Sequence, residues 1–262
     1  MLLKPEDFLP MNIVTELNEW VSMRKKIMNQ SIGFIPTMGN LHAGHISLCE
    51  RSKRDNDITV VSIFVNPTQF NNQNDLKHYP RTLPEDIEKL THAKVDYLFV
   101  PNAEDMYQDN YEIKVTETEL SHELEGEHRP GHFNGMLTVV LKLLNLIQAH
   151  KAYFGEKDYQ QLLLVKKMVL SLFLPTEIMA CETIRNEKGL ALSSRNSRLN
   201  DEQLEMAAHF PALLHSHLTD EEIITQLKNL GFKVDYIVKK WQRRLGAVYL
   251  GDVRLIDNIH YI

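Results

Sequence analysis

Two histidines, His42 and His45, stand three positions apart in the segment PTMGNLHAGH at residues 36–45. That spacing places both on one face of a helix if the segment opens one, and the free N–H groups and dipole of a helix N-terminus favour an anion. Two imidazole donors beside such a terminus suit a phosphate that gains charge during a reaction. Gly44, which lacks a Cβ, lets a flat ring lie against the backbone. The alternatives are two surface histidines at a capped helix start, or half of a zinc site with no further ligand near in sequence.

Uncharged amides and a carboxylate occur in the next two polar segments. FVNPTQF, residues 64–70, contains Asn66 and Gln69, which could orient hydroxyls or a carboxylate without adding charge; an ordinary Asn-Pro turn is the alternative. YPRTLPED, residues 79–86, ends on Asp86 in the first turn of a predicted helix. A single carboxylate near phosphates can hold Mg²⁺, which takes only one or two protein ligands, whereas an acid at this position more commonly complements the helix dipole.

Charged side chains gather in two further segments. LEGEHRPGHFNGM, residues 124–136, brings Arg129 and His132 together on a stretch broken by Gly and Pro before a helix, which indicates a binding loop or a chance cluster. FGEKDYQQ, residues 154–161, follows a short strand and opens a helix. Lys157 therefore lies at a strand's carboxyl end, where a point cation can reach a phosphate. A surface Lys-Asp pair is the plain alternative.

The last polar segment, TIRNEKGLALSSRNSRL at residues 183–199, is cationic. Four cations and one acid lie between Arg185 and Arg198, a local charge of +3, with hydroxyls at Ser193 and Ser194 among them. A mobile cationic loop that carries serines could close on a triphosphate and stabilise the α-phosphate as pyrophosphate leaves. An interdomain linker is the alternative.

The composition favours a reducing compartment and argues against nucleic acid as a partner. The chain has 262 residues and a formal net charge of −6, and residues 201–222 contain six acids without Lys or Arg. A surplus of acid opposes a phosphate-backbone binder, and two cysteines 132 positions apart make a disulfide framework improbable. Glu6 and Asp7 stand where a signal peptide needs apolar residues, and no run approaches the ~18 apolar residues of a membrane span. We therefore expect a soluble, cytoplasmic protein without a membrane partner.

Alternating strands and helices must position these segments. Apolar spacing predicts a helix over 12–29 and buried strands at 31–36, 58–65 and 95–101, separated by helices at 43–54 and 84–94. This βαβαβ order predicts an α/β fold with a doubly wound, Rossmann-like parallel sheet and right-handed crossovers. Ligands bind such sheets beyond the carboxyl ends of the strands. A helix at 134–149, the strand KAYFG, a helix from 159 to about 173 and the strand TEIMACETI continue the pattern.

The character of the chain changes after residue 184, where polar and acidic stretches precede the strands FKVDYIV and AVYLGDVRLID. We predict a Rossmann-like ligand-binding domain at 1–185 and a small C-terminal α+β lid domain at 186–262. The second domain has about 77 residues and could bury little surface alone, so it is expected to pack on the first.

The order and spacing of these segments resemble the pantothenate synthetases, the pantoate:β-alanine ligases of the HxGH nucleotidylyltransferase superfamily. The resemblance runs from Phe34 to the closing VRLIDNI at 253–259; HxGH alone is shared with other families, but FGEKDYQQ together with LSSRN is highly specific. It implies ATP-dependent, AMP-forming condensation of pantoate with β-alanine through a pantoyl adenylate, with pyrophosphate released in the first step. It also implies Mg²⁺ and a homodimer formed through the N-terminal domain.

The resemblance assigns residues by role. Charge on the reacting phosphate would be neutralised by His42, His45, Lys157, Ser193, Ser194 and Arg195. ATP would contact these and Pro36, Thr37, Met38, Gly39, Gly44, Gly155, Glu156, Asp158, Ile184 and Leu192. Pantoate would be held by Met38, Asn66, Gln69, Arg129, His132 and Gln161, and Asp86 would be the Mg²⁺-associated acid.

Two other functions stay open on the sequence. A nucleotidylyltransferase acting on another small acid would stop at an activated product, so an amine would not affect its turnover. A non-catalytic nucleotide- or RNA-binding module would bind ATP or tRNA without turnover, and the acidic balance opposes the RNA version.

The tail after about residue 205 is expected to be shorter than in typical relatives, which predicts a reduced lid.

Overall fold

The computed structural model describes residues 11–261 and divides the chain into two compact units. The first comprises the chain up to Leu41, His45–Phe154 and Gln160–Cys181; the second comprises His42–Gly44, Gly155–Tyr159 and the chain from Glu182 onward. The expectation about a signal peptide, which rests on residues 6 and 7, lies outside the described residues. The division into 1–185 and 186–262 stays a prediction, since the second unit also takes short segments from earlier in the chain.

A six-stranded sheet forms the centre of the first unit. Its strands are β1 (Asn12–Val14), β2 (Ile32–Thr37), β3 (Ile58–Ile63), β4 (Tyr97–Phe99), β5 (Lys151–Gly155) and β6 (Glu177–Cys181), in the spatial order β1-β4-β3-β2-β5-β6. The pairs β1 with β4, β4 with β3, β3 with β2, and β2 with β5 are all parallel. The strand order therefore reverses between β2 and β5, and the predicted doubly wound α/β fold is confirmed.

The register of β2 and β3 sets two of the polar segments side by side. These strands pair from Ile32 with Ile58 to Thr37 with Ile63, and nearly all of their residues are buried, as expected for central strands covered on both faces. Because the two strands end together, MGN after β2 and FVNPTQF after β3 begin next to each other.

Eight helices of the described chain belong wholly or mainly to the first unit. They are α1 (Leu17–Lys26), α2 (Ala43–Asp55), α3 (Gln73–Lys77), α4 (Leu83–His92), α5 (Ala103–Met106), α6 (Glu125–His128), α7 (His132–Ile147) and α8 (Tyr159–Ser171). Eleven of the 16 residues of α7 are buried, so it is a core helix, and Arg24 of α1 donates to the carbonyl of Ile147 at its C-terminal end (3.0 Å). Even so, no helix within residues 11–261 has the length and apolarity to cross a membrane.

The first strand differs from the prediction. Apolar spacing predicts a helix from residue 12, but Asn12–Val14 form β1 and pair with Tyr97–Phe99 of β4, and the helix begins only at Leu17. A strand of three residues is too short to show alternation, so its apolar residues fit the helical spacing by coincidence.

The second unit contains three helices and an antiparallel sheet. The helices are α9 (Asp201–Ala207), α10 (His209–Leu214) and α11 (Asp220–Asn229), and the strands β7 (Lys233–Lys240), β8 (Arg243–Leu250) and β9 (Val253–His260) lie in the order β7-β8-β9. Capping boxes from Asn200 and Thr219 begin α9 and α11. A core around Phe210, Ile223 and Val248 joins helices and sheet.

Candidate active site

Asn66 lies at the start of the 3₁₀ turn Pro67–Gln69 that follows β3, and the protein itself satisfies its side chain. Its Nδ2 donates to Gln69 Oε1 (3.0 Å) and to the carbonyl of Gly135 (3.1 Å), and its Oδ1 accepts from Thr68 Oγ1 (3.0 Å). Because both amide hydrogens are used within the protein, Asn66 orients Gln69. The predicted contact of Asn66 with pantoate stays a prediction.

The side-chain amide of Gln69 is held in one orientation by Asn66. Its Oε1 accepts from Asn66, which fixes the direction of the amide plane, and its Nε2 donates to the sulfur of Met38 at 3.1 Å. A thioether is a weak acceptor, and Nε2 carries a second hydrogen. Gln69 and Met38 together therefore offer a donor beside an apolar, polarisable surface.

Tyr107 belongs to this group, although no local pattern in the sequence selects it. Its hydroxyl donates to Asn66 Oδ1 at 2.6 Å, and burial raises the pKa of this hydroxyl, so it remains a donor at neutral pH. The ring stacks on Tyr111 with centroids 4.4 Å apart, and Lys142 Nζ lies 4.9 Å from its centroid. Tyr107 and Asn66 are 41 positions apart, so no short-range pattern in the sequence indicates that they are in contact.

His132 holds Arg129 in place beside the same turn. Nδ1 of His132 is 2.8 Å from the carbonyl oxygen of Gln69, and Nε2 is 3.1 Å from Arg129 Nη1. Since a carbonyl only accepts and a guanidinium only donates, Nδ1 carries the hydrogen and Nε2 accepts. His132 is therefore a neutral imidazole that fixes the guanidinium. Five of the six predicted pantoate residues thus form one hydrogen-bonded group.

The sixth predicted residue, Gln161, stands next to a glutamine with a structural role. Gln160 is buried, and its Nε2 donates to the carbonyls of Leu120 (2.8 Å) and Glu123 (2.7 Å) while its Oε1 accepts from the N–H of Glu125 (3.1 Å). Gln161 is half-buried, and its side chain makes no hydrogen bond to another residue within 11–261. The QQ pair therefore divides into one residue that fastens a loop and one that can bind a ligand.

Asp86 fastens the turn after β2. Its carboxylate is fully buried, and it accepts the backbone N–H of Asn40 on Oδ2 (2.8 Å) and of Leu41 on Oδ1 (2.7 Å). Gly39 of the same turn has φ +81°, and a Cβ there would lie 3.1 Å from Asp86 Oδ2. The predicted role of Asp86 as a Mg²⁺ ligand does not fit a buried carboxylate whose two oxygens are committed to the backbone. No group of three or more His, Cys, Asp or Glu side chains within residues 11–261 could hold a metal ion.

Pro36 and Thr37 are the last residues of β2. The hydroxyl of Thr37 donates to the carbonyl of Ser62 (2.8 Å) and accepts from the N–H of Gly39 (3.2 Å). This side chain is committed to the strand end and the turn, so only the backbone here is suited to contact a ligand.

The two histidines of the HxGH segment belong to different units. α2 begins at Ala43, so His42 precedes the helix and the predicted sharing of one helical face does not hold, while His45 lies in the first turn of α2. His42 Nδ1 accepts the N–H of Gly44 at 3.1 Å, so its neutral ring carries the hydrogen on Nε2. A Cβ on Gly44 would lie 2.8 Å from His42 Cε1, so glycine keeps this ring conformation possible.

The segment Gly155–Tyr159, which begins at the last residue of β5, belongs to the second unit. Lys157 Nζ lies 3.7 Å from Asp158 Oδ2, and the two side chains are 16% and 47% exposed, so this pair is long and partly solvated. Glu156 is engaged by Arg243, whose Nη2 donates to its Oε2 at 2.7 Å. A Cβ on Gly155 would meet no atom within 4 Å. Lys157 is thus the sheltered cation at an open strand end.

The cationic segment 183–199 is more ordered than predicted. Arg185 makes a bidentate ion pair with buried Asp257 (2.6 and 2.9 Å), and Lys188 pairs with Glu205. Backbone hydrogen bonds close the turn, among them Leu192 N to Ile184 O (2.9 Å). Two of its four cations are therefore already neutralised, and a simple mobile loop does not describe this part.

Ser193 ends this turn and begins the next. Its Oγ accepts the N–H of Arg195 at 3.3 Å and caps the 3₁₀ helix Ser194–Arg198. The predicted residues Ser193, Ser194 and Arg195 therefore lie together at the N-terminal end of one short helical turn.

The fold and these segments define a class of protein. Along the chain, HxGH follows β2 and Lys157 follows β5, which is the neighbour of β2 in the sheet. The strand order reverses between these two strands, and segments that follow strands at such a reversal are typical of nucleotide-binding α/β enzymes. The sequence model of the Pantoate-beta-alanine ligase family matches residues 11–260. The chain belongs to this family.

Individual relatives agree along nearly the whole chain. The chain is 52% identical over 249 residues to the pantothenate synthetase of Coxiella burnetii (strain Dugway 5J108-111) and 51% identical to that of Legionella pneumophila (strain Corby), covering 95% of this chain and 96% and 99% of theirs. The pantoate-beta-alanine ligase of Francisella tularensis, solved with beta-gamma ATP and beta-alanine, superposes with a TM-score of 0.91 at 45% identity, covering 95% of this chain and 97% of that one. The pantothenate synthetase of Thermus thermophilus gives 0.88 at 38% identity, with 96% and 100% covered.

These likenesses decide between the predicted functions. The predicted family is confirmed, and ATP-dependent condensation of pantoate with β-alanine is confirmed with it; a nucleotidylyltransferase acting on another acid is not favoured. The expected shortening of the tail is wrong with respect to these relatives, because the chain covers 96–100% of their length.

Proposed function

We propose that the condensation runs in two steps on the residues described above. In the first step the carboxylate of pantoate attacks the α-phosphorus of ATP, which forms pantoyl adenylate and releases pyrophosphate. In the second step the amine of β-alanine attacks the adenylate carbonyl, forms the amide and releases AMP. The observation that carries this proposal is the network that fixes the amide of Gln69 beside Met38, because an oriented neutral donor next to an apolar surface suits a small acid with hydroxyls and methyl groups.

Pantoate recognition is proposed to rest on direct and indirect contacts. The second hydrogen of Gln69 Nε2 binds a pantoate oxygen, the thioether of Met38 packs on the methyl groups, and Gln161 supplies a second amide. Arg129, held by neutral His132, attracts a carboxylate. Asn66 is proposed to act through Gln69.

The phosphates of ATP are proposed to meet charged and hydroxyl groups. Lys157, which is mostly sheltered from water, neutralises charge on the phosphoryl oxygens, and hydrogen-bond donors assist it. These donors are His42, His45, Ser193, Ser194 and Arg195. Backbone groups are proposed to contact the nucleotide at Pro36, Thr37, Gly39, Gly44, Gly155, Asp158, Ile184 and Leu192. Glu156 is proposed to act indirectly, through its bond to Arg243.

Magnesium is proposed only as the ion that accompanies ATP. The contacts of Asp86 do not fit a metal ligand, and the roles assigned to the side chains do not depend on the ion. We also propose a cytoplasmic location, in keeping with Cys49 and Cys181, which are not joined by a disulfide within residues 11–261.

A homodimer formed through the first unit is a further part of the proposal. At the end of α8, beside the edge strand β6, Phe173 is 92% exposed and Leu170 is 79% exposed. Apolar side chains beside a free strand edge support pairing with a second copy of the chain. Replacing Phe173 by Asp should shift the mass measured by light scattering from dimer to monomer; a monomeric parent protein would contradict the dimer.

A coupled assay of pyrophosphate and AMP tests the reaction. Pyrophosphate release should require pantoate, and AMP release should also require β-alanine. Pyrophosphate release that does not depend on pantoate would refute the proposed first step, and AMP release unaffected by β-alanine would refute the second.

Three variants test the assignment of residues. Lys157→Ala should lower the rate of adenylation by on the order of 10² or more, as for loss of a preorganised charge-stabilising donor, and so should His45→Ala; Lys166→Ala, on the exposed side of α8, is the matched control. Gln69→Ala should raise the KM for pantoate much more than the KM for ATP. A near-normal rate in the first pair, or equal effects on both substrates in Gln69→Ala, would remove those residues from their roles.

A further inference from the structure

Two adjacent polar residues near the end of the chain, Asp257 and Asn258, are buried in β9. Both are 3% exposed. Successive side chains of a strand point to opposite faces, and along β9 Val253, Leu255 and Asp257 follow the buried face while Arg254 and Ile256 are only half-buried. Asn258 breaks this alternation, because it is buried where a half-exposed residue is expected. Each of the two side chains reaches a different segment of the second unit.

Asn258 fixes the backbone around Lys157. Its Nδ2 donates to the carbonyls of Glu156 and Lys157, both at 2.9 Å, while its Oδ1 accepts from Arg243 Nη1 at 2.7 Å. Arg243 in turn donates to Glu156 Oε2, and its guanidinium lies 4.2 Å from the centroid of Tyr159. One asparagine and one arginine therefore hold the main chain, a side chain and a ring of the segment 155–159.

Asp257 fixes the start of the serine-bearing segment. Its two carboxylate oxygens accept the two terminal nitrogens of Arg185, in the geometry that gives strong, directional ion pairs. Arg185 Nη1 also donates to the carbonyl of Gly189 (3.0 Å), across the turn that leads to Ser193. Arg185 Nη2 reaches the carbonyl of Asn258 at 3.3 Å, which links the two clusters.

We propose that Asp257 and Asn258 are positioning residues that set the two phosphate-handling segments, 155–159 and 185–195, from one strand. This inference rests on the proposed roles of Lys157 and Ser193. Gly155 ends β5, and backbone hydrogen bonds close the turn between Ile184 and Leu192, but neither feature ties the two segments to a common element. The side chains of Asp257 and Asn258 do so, because both belong to β9. A displacement of about 1 Å can cost up to about 10² in rate, so such anchors matter for chemistry beyond their contribution to stability.

Hydrogen exchange measured peptide by peptide separates the two anchors. Asn258→Ala should speed exchange in 155–159 and leave 185–191 near its parent rate, whereas Asp257→Asn, which keeps the side-chain shape, should speed exchange in 185–191 and spare 155–159. Asn229→Ala, an exposed asparagine at the end of α11, is the control and should change neither. If both variants speed exchange equally throughout 182–261, the pair is only part of the core and the proposal is overturned.

Kinetics give the second readout. In folded Asn258→Ala, kcat for pyrophosphate release should fall at least about 10-fold while the KM for pantoate stays within about twofold, since the predicted pantoate residues belong to the first unit. An unchanged kcat overturns the proposal. If circular dichroism shows that this variant does not fold, Asn258→Asp replaces it with the same expectations. A parent protein without pantoate-dependent pyrophosphate would refute the proposed function, and the exchange pattern would still decide the roles of the pair.

Discussion

Gly135 is the point at which α7 crosses the Pro67–Gln69 turn, and replacing it by Ala tests how closely the site depends on that crossing. A Cβ at this position would lie 2.3 Å from the carbonyl oxygen of Thr68 and 2.7 Å from the backbone nitrogen of Gln69. These are main-chain atoms, so no side-chain rotation relieves the clash. Reaching 3.0 Å, the lower limit of real Cβ contacts, requires a separation of 3.0 − 2.3 = 0.7 Å, and ordinary contact at 3.4 Å requires 1.1 Å.

The cost of Gly135→Ala follows from three contributions to the free energy of unfolding. Overpacking costs about 1–3 kcal/mol, and weakening the 3.1 Å bond from Asn66 to the Gly135 carbonyl costs about 1 kcal/mol. The better helix propensity of Ala offsets about 1 kcal/mol. The net loss of about 1–3 kcal/mol corresponds to a melting temperature lower by about 2–12 °C in a chain of this size.

The catalytic consequence should be specific for pantoate. Moving the turn by 0.7–1.1 Å displaces Gln69, so kcat/KM for pantoate should fall by about 10- to 100-fold, with the KM for ATP near its parent value. Steady-state kinetics with each substrate varied in turn, together with thermal melting, measure both effects. Asn145→Ala, on the exposed side of the same helix, is the control. A folded Gly135→Ala protein with parental kcat/KM for pantoate would refute this account of the site.

Three further predictions concern single groups. Tyr107→Phe removes the donor to Asn66 Oδ1 and should raise the KM for pantoate by about 3- to 10-fold, as expected for about 1 kcal/mol; an unchanged KM would separate Tyr107 from the site. Although burial acts in the opposite direction, hydrogen bonds from Lys167 and backbone N–H groups lower the pKa of Glu117 from 4.5 to about 2. Its contribution to stability should therefore be complete above pH 4.5 and be lost as the pH falls towards 2, and Glu117→Gln should flatten this part of an acid unfolding curve. Burial raises the pKa of Cys49 to about 12, so the native thiol should not react with a disulfide reagent at about pH 8, whereas the unfolded chain should react; rapid native labelling of Cys49 would contradict its burial.

Local patterns were sufficient to predict most of the sheet, and they also predict where ligands bind. The β-branched run that became β3 predicts a central strand because its period is local, and the polar residues after each strand predict a ligand edge because parallel strands end together. This reasoning did not predict the strand Asn12–Val14, because only its pairing with β4 shows that these three residues form a strand.

The roles of individual polar side chains were harder to predict from the sequence. Asp86 follows the sequence pattern of a helix-capping or metal-binding acid, but it accepts backbone N–H groups 45 and 46 positions away. The substrate contacts of Asn66 and Glu156 stay predictions, but the structure alone shows that Asn66 bonds to Gln69 and Tyr107 and that Glu156 bonds to Arg243. A sequence names the donors and acceptors, but it does not say which of them pair with each other.

The sequence by itself determined the family, the α/β alternation and the segments predicted to carry the chemistry, because these features depend on residue types and on short spacings along the chain. Only the tertiary structure decided that Tyr107 orients Asn66, that His132 is neutral with its hydrogen on Nδ1, and that Asp257 and Asn258 anchor the segments around Lys157 and Ser193. The physical reason is that a hydrogen bond is directional and acts over about 3 Å. Its partners are therefore chosen by the folded backbone, which brings together residues up to 102 positions apart.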